Sequence, residues 1–149
     1  MKRLVVIVAA AVPMTIVLAL LPASATTRRR EVTHVRTVET SNYFVDNDPR
    51  GTSGGDLVGS AGDLRRHGSD IGSFSTACTL VSPVKAQCQA SLIWSGRGTI
   101  ELAGSLKIKQ TRNQVAIVGG THDFRRARGE ATLKTGNGPV TRVGLRILR

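Results

Sequence analysis

In Ala116-Ile117-Val118-Gly119-Gly120-Thr121-His122-Asp123-Phe124-Arg125-Arg126-Ala127-Arg128-Gly129-Glu130-Ala131 an apolar run gives way to a glycine pair, a polar turn and a cluster of arginines. The run, Val115 to Val118, stops at Gly119-Gly120. The turn carries His122, Asp123 and Phe124, and Arg125, Arg126 and Arg128 lead to Gly129 and a second alternating segment. The order reads as strand, tight glycine turn, loop, strand, because paired glycines admit backbone angles that side chains forbid.

The same grammar repeats on both sides. Residues 99–108 alternate most clearly, with Ile100, Leu102, Leu106 and Ile108 against Glu101, Ser105 and Lys107. Alternation also predicts strands over 32–39 (extending towards 42), 56–64, 71–81, 85–94, 114–118, 129–133 and 140–148. Phe74, Thr76, Cys78 and Leu80 share one face, as do Cys88, Leu92 and Trp94, and as do Val143, Leu145 and Ile147. Gly59 and Gly62 predict a bend or bulge in the second strand. Eight short strands with no sustained helical period give an all-β fold. Period alone leaves a two-sheet sandwich and a closed barrel equally open.

The chain of 149 residues fits one domain. Its start is an address: Lys2-Arg3, the apolar run from Leu4 to Leu21, then Ala23-Ser24-Ala25. A positive head, a greasy middle and a small-x-small site predict a secretory signal peptide over residues 1–25, with an uncleaved membrane anchor as the alternative. Residues 26–31 read as a disordered basic leader and 32–149 as the folded domain. The protein is therefore expected outside the cell with no stable membrane anchor.

The formal net charge is +11, and +9 once Lys2 and Arg3 leave with the signal peptide. Aromatic residues make up 3% of the chain, too few for base-stacking platforms, so no nucleic-acid partner is expected. A polyanion held by the arginines is a third and weaker functional reading.

Cys78 and Cys88 are the only cysteines, with Pro83 midway between them. A hairpin turn that sets Val81 opposite Lys85 also sets Cys78 opposite Cys88. Directly opposed residues approach closely enough to bond, so the spacing predicts a cross-strand disulfide. Two buried free thiols are the alternative. Two cysteines with no histidine cluster do not make a tetrahedral metal site, and no metal is expected.

Gly119-Gly120-Thr121-His122-Asp123-Phe124-Arg125-Arg126-Ala127-Arg128-Gly129 resembles, without gaps, the GGTGxFxxARG segment of dirigent proteins and their bacterial relatives in the allene oxide cyclase barrel superfamily. It departs at His122, where the family usually has glycine. Tyr43-Phe44-Val45-Asp46 looks like the end of the dirigent first strand. Asp56-Leu57, Ile71-Gly72 and Cys78 are similar to a region of the allene oxide cyclases. The resemblance implies an eight-stranded antiparallel β-barrel with a hydrophobic cavity, usually trimeric, and secreted in the dirigents.

Residue by residue, the resemblance implies catalytic roles for Asp46 and Asp123, which match dirigent cavity aspartates. It implies substrate binding for Arg128, Phe124 and, through the glutamate of the cyclase first strand, Glu39. Cys78 matches a cyclase cysteine, but a bonded sulfur cannot act as a free thiol. The implied function is to bind a small apolar molecule and guide its cyclisation or coupling, an isomerase-like or cyclase-like role needing no cofactor. The alternative is a non-catalytic carrier or interaction module. Beside these stand plainer readings: Asp46 as a turn former, Asp123 as the partner of a neighbouring arginine, Arg128 as a clamp under the glycine turn. The chain carries no Walker loop, HExxH or paired CxxC.

Overall fold

The structure, a computed structural model, describes residues 30–47 and 49–148. The expected signal peptide and the leader up to residue 29 lie outside the described residues. Eight strands follow one another: β1 (Arg30–Val45), β2 (Leu57–Arg66), β3 (Ser69–Ser82), β4 (Lys85–Trp94), β5 (Gly98–Lys107), β6 (Arg112–Gly120), β7 (Arg128–Thr135) and β8 (Val140–Leu148). Each pairs antiparallel with its neighbours in sequence, and β1 closes on β8 from Arg30 opposite Leu148 to Val38 opposite Val140. The fold is a closed eight-stranded barrel, which leaves no open sheet edge.

All eight expected strands are present. β1 corrects one boundary: Arg30 and Glu31, expected in the leader, already pair with β8. Side chains alternate as read, with Phe74, Leu80, Cys88, Leu92, Trp94, Val143, Leu145 and Ile147 buried inside. The bend expected in β2 is a bulge in its partner instead. Glu39 faces Gly62 and Ser41 faces Ala61, leaving Thr40 as the extra residue. A side chain at Gly62 would start 2.0 Å from the Val38 carbonyl oxygen, so only glycine lets the bulged strand approach.

The two ends of the barrel differ. At one end lie the β2–β3 and β4–β5 turns and the β6–β7 connection, which contains a short 3-10 turn, His122–Phe124. That turn folds Phe124 into the barrel, where it is 2% exposed and 5.1 Å from the Trp94 ring. With Leu64, Ile100, Ala127 and Ile147 it forms one continuous apolar plug. The other end carries the β1–β2, β3–β4, β5–β6 and β7–β8 connections. There a smaller cluster of Leu80, Ala86 and Cys88 fills only the β3–β4 side.

The opening stretch needs one correction. Gly119 and Gly120 do not supply the left-handed angles of a turn; they end β6, and the positive φ belongs to His122, at 47°. Gly120 is required for close approach: a side chain there would begin 2.4 Å from the Thr99 carbonyl oxygen and 2.7 Å from Phe124 Cβ.

Candidate functional site: an apolar lumen with one mouth

Between the plug and the smaller cluster is a cavity of about 180 Å³. Phe74, Leu92, Leu102, Val115 and Val143, inward residues of the plug cluster, also line it. The Cys78–Cys88 disulfide forms part of its wall. The bond joins directly opposed residues of β3 and β4 with Cα atoms 4.1 Å apart. The turn that aligns them differs in detail from the expectation: Ser82, not Val81, faces Lys85, and Val81 is an extra residue in β3. The two-residue turn Pro83-Val84 plus one bulged residue leaves Cys78 opposite Cys88, so the pairing survives the shift.

The less buried part of the cavity's lining is Glu39, Asn113, Thr135, Pro139 and Thr141 on β1 and β6–β8, with Gln89 on β4. The backbone N–H of Glu39 donates to the Pro139 carbonyl at 2.9 Å, which ties the β7–β8 turn to β1 there. Glu39 points inward just before the bulge, and Asn42 Nδ2 donates to its Oε1 at 2.6 Å. Among the described residues, Glu39 is the one ionisable side chain lining the cavity. Hydroxyls supply most of the other polarity: Thr37, Ser60, Thr76 and Thr141, with the Ser60 and Thr76 hydroxyls 3.0 Å apart.

The remaining candidates lie outside the lumen. Asp123 sits on the 3-10 turn at the plugged end, its side chain 51% exposed, and accepts a hydrogen bond from Arg97 Nε at 3.1 Å. The same Arg97 guanidinium lies 5.1 Å from the centre of the Phe124 ring, so Arg97 and Asp123 cap the plug from outside. The partner is an arginine remote in sequence rather than Arg125, Arg126 or Arg128. Asp123 is kept from the lumen because Phe124, the next residue, is the one that turns inward. Asp46 lies at the mouth end but in the β1–β2 connection, where its Oδ2 accepts from the Gly51 N–H at 3.1 Å. That is the turn-forming role, and Asp46 does not line the cavity. Arg128 is exposed and donates from Nη1 to the neighbouring Ala127 carbonyl at 2.8 Å. Phe124 is buried in the plug and likewise does not line the cavity. Of the sequence candidates the lumen gathers Glu39, Cys78 and Cys88.

One buried acid was not singled out by the sequence reading. Asp56 is 0% exposed and accepts hydrogen bonds from the Ser53 and Asn47 backbone amides and the Ser53 hydroxyl. The Ser53 amide above all holds its carboxyl below the usual aspartate value, against burial, which pulls the other way. It closes the β1–β2 connection and takes no part in the cavity. Its signal was in the sequence: Asn47, Ser53 and Asp56 are loop-building residues in one glycine-rich connection. No group of three or more His, Cys, Asp or Glu among the described residues is placed to hold a metal ion.

The sequence pattern of the dirigent-like protein family matches residues 78–146, from the cavity disulfide into the last strand. No curated protein matches the chain. Among solved structures, a pyocyanin demethylase superposes with a TM-score of 0.72 at 18% identity, covering 80% of this chain and 100% of its own. A pterocarpan synthase dirigent protein gives 0.67 at 16% identity, covering 82% and 86%. The Diels-Alderase AbmU from Streptomyces koyangensis gives 0.61 at 16%, covering 85% and 71%. At such identities each likeness is one of fold. Residues 78–146 thus carry the dirigent-like sequence pattern, and the closed barrel built in sequential order has the fold of these dirigent and cyclase structures.

Proposed function

We propose that this barrel is exported, binds a small, mostly apolar molecule in its lumen and guides a cyclisation or coupling of it. The observation that carries the reading is the cavity itself: a mostly apolar lining with several hydroxyls and, among the described residues, a single carboxylate, Glu39. Its size sets the class of ligand. An apolar void of about 150 Å³ accommodates a benzene ring, so about 180 Å³ takes one substituted ring, with any remainder at the mouth. Confinement of a flexible molecule in one conformation is the main source of rate in such a site, because it removes orientational entropy before the reaction. Glu39, anchored by Asn42, is placed to exchange a proton with the part of the ligand nearest the mouth. The names of the structural neighbours span demethylation, pterocarpan synthesis and cycloaddition, so the fold does not choose among reactions.

A carrier is the second reading. It is favoured by one observation: among the described residues, the lining apart from Glu39 is uncharged. The test is mass spectrometry of small molecules that co-purify with the native protein. Wild type and Asp123→Asn are expected to retain the same ligand, and Ala90→Leu, which fills the cavity, is expected to lose it. If wild type holds nothing that Ala90→Leu lacks, the lumen reading fails. With the ligand in hand, Glu39→Gln is expected to keep binding and slow conversion by about 100-fold or more. Binding without conversion in wild type would leave the barrel a carrier.

A further inference from the structure

We propose that the outer wall of β6, β7, β8, β1 and β2 binds a flexible linear polyanion, an acidic polymer carrying phosphate or sulfate groups along its backbone. The site is independent of the lumen. Strand register builds it. Arg112 faces Lys134, Lys134 faces Arg142, Arg142 faces Arg36, and Arg36 faces Arg65. Five neighbouring strands thus carry one cation each in a single cross-strand row. Strands lie ~4.8 Å apart, so the row is roughly 19 Å long.

Like charges set directly opposite each other destabilise a sheet. Only one member of the row, Arg65, has an ion pair with a described carboxylate, Asp63 at 2.8 Å. Arg66 and Arg146 flank the row, and the groove they share with it measures about 780 Å³; among the described residues no carboxylate lines it, the nearest in register being Glu130 opposite Arg146. Nor is the charge spread evenly over the barrel. The opposite wall, β3 to β5, carries Ser75, Ala77, Ser91 and Glu101 along its outer pocket, and its one opposed cation pair, Lys85 and Lys107, lies at the far end of β4–β5. A solvated basic surface would not need such segregation, whereas a polymer of anions would offset the repulsion along the row.

Shape and chemistry narrow the partner. Five of eight strands span half of the barrel's circumference, so the row follows a curved wall. A flat bilayer meets only part of that arc, and Val32 is the one large exposed apolar residue in the groove to anchor it. No Phe, Tyr or Trp lines the groove, and its rings are the two small imidazoles of His34 and His67, a poor platform for stacking successive bases. A flexible chain held by its backbone anions satisfies both constraints.

The test titrates the whole chain, basic N-terminal run included, with inorganic polyphosphate, a heparin fragment, oligodeoxythymidylate and phosphatidylglycerol vesicles. Polyphosphate, heparin or both are expected to bind, with affinity falling steeply as salt rises. Which of them binds tells phosphate from sulfated sugar. The Arg36→Gln/Arg142→Gln variant, cut at the centre of the row, is expected to weaken binding about tenfold and to lower the log–log salt slope by about 1.5, near the value for two lost contacts. The charge-matched Arg125→Gln/Arg126→Gln variant at the plugged end is expected to change neither. The row variant should also melt no lower than wild type at low salt, because it relieves repulsion; this separates loss of the site from loss of the fold. Equal losses in both variants, a row variant that binds like wild type, vesicles preferred over both polymers, or oligodeoxythymidylate preferred over polyphosphate would each overturn the proposal.

Discussion

The same eight strands finish in opposite ways at the two ends of the barrel. At the β6–β7 end a connection rich in arginine dips one phenylalanine into the barrel, and Trp94, Ile100 and Ile147 close around it. At the β7–β8 end the connections stay outside, and Glu39, Asn113 and Thr135 lie in the less buried part of the cavity's lining. A barrel of this width is either filled by side chains or left with a small void. Here one end is filled and the other is not, and the difference comes from which connection folds inward. The plug provides stability, and the mouth provides access. Phe124→Ala should break this division most severely, since deleting a buried phenylalanine costs about 3–5 kcal/mol. Urea unfolding is expected to show that loss, whereas Ala90→Leu at the open end should cost less than about 1 kcal/mol because it fills existing space. Equal losses at the two sites would erase the contrast.

The disulfide lies between the ends and belongs to both, as a strand-to-strand clamp and as cavity wall. It closes a short loop, for which chain-entropy arguments give about 2–3 kcal/mol. The double variant Cys78→Ala/Cys88→Ala is therefore expected to lose that much on chemical unfolding. It should also alter retention of the small molecule proposed for the lumen, because two sulfur atoms leave the wall. A double variant as stable as wild type would show that the strands need no clamp there.

How much of this was legible in the sequence depends on the distance over which the signal acts. Strand positions follow from local alternation, and the inward faces of β3, β4, β5 and β8 appear where Phe74, Leu92, Ile100 and Leu145 predict them. The Cys78–Cys88 bond was readable because it depends on one turn, and the one-residue bulge at Val81 did not disturb it. Closure of the barrel was not readable from period, since Arg30 meets Leu148 across the whole chain; it came from resemblance. The site divided along the same line. Glu39 reaches the lumen, but its place at the mouth is fixed by Pro139, a hundred residues away in sequence. Asp123 could be read as a lumen acid only while the direction of Phe124 was unknown. Once the 3-10 turn sends Phe124 inward, its neighbour must face Arg97 and solvent.

A subtler probe acts on the open end alone. Because the Ser53 amide and its companions hold the Asp56 carboxyl below its unfolded value, the stabilisation it brings is complete above the ordinary aspartate range. It is lost as pH falls through the lower, folded value. The Asn47 and Ser53 amides, which donate to Asp56, should lose hydrogen-exchange protection on acidification below about pH 4, the ordinary aspartate range. The plug, whose core residues do not titrate, should hold its protection further down. Asp56→Asn is expected to weaken the protection at neutral pH and to flatten its acid dependence. If wild type and variant lose those amides at the same pH, Asp56 is not what secures this connection.

The smallest effect belongs to the plugged end. His122 takes the place that is usually glycine in the family segment, and its φ of 47° is a left-handed angle that glycine adopts without strain. Histidine tolerates this region better than most residues, so its strain is modest. His122→Gly would release that strain but also loosen the unfolded chain, a counter-effect of about 0.4–1 kcal/mol. The two nearly cancel, and the net change on thermal unfolding is expected to stay within about 0.5 kcal/mol. His122→Val keeps the strain and adds a β-branched side chain unsuited to it, and is expected to cost about 1–2 kcal/mol. A large gain from glycine would mean that histidine strains the turn that drives Phe124 inward. Near-neutrality would mean that the burial of Phe124 alone fixes the turn, whatever residue precedes Asp123.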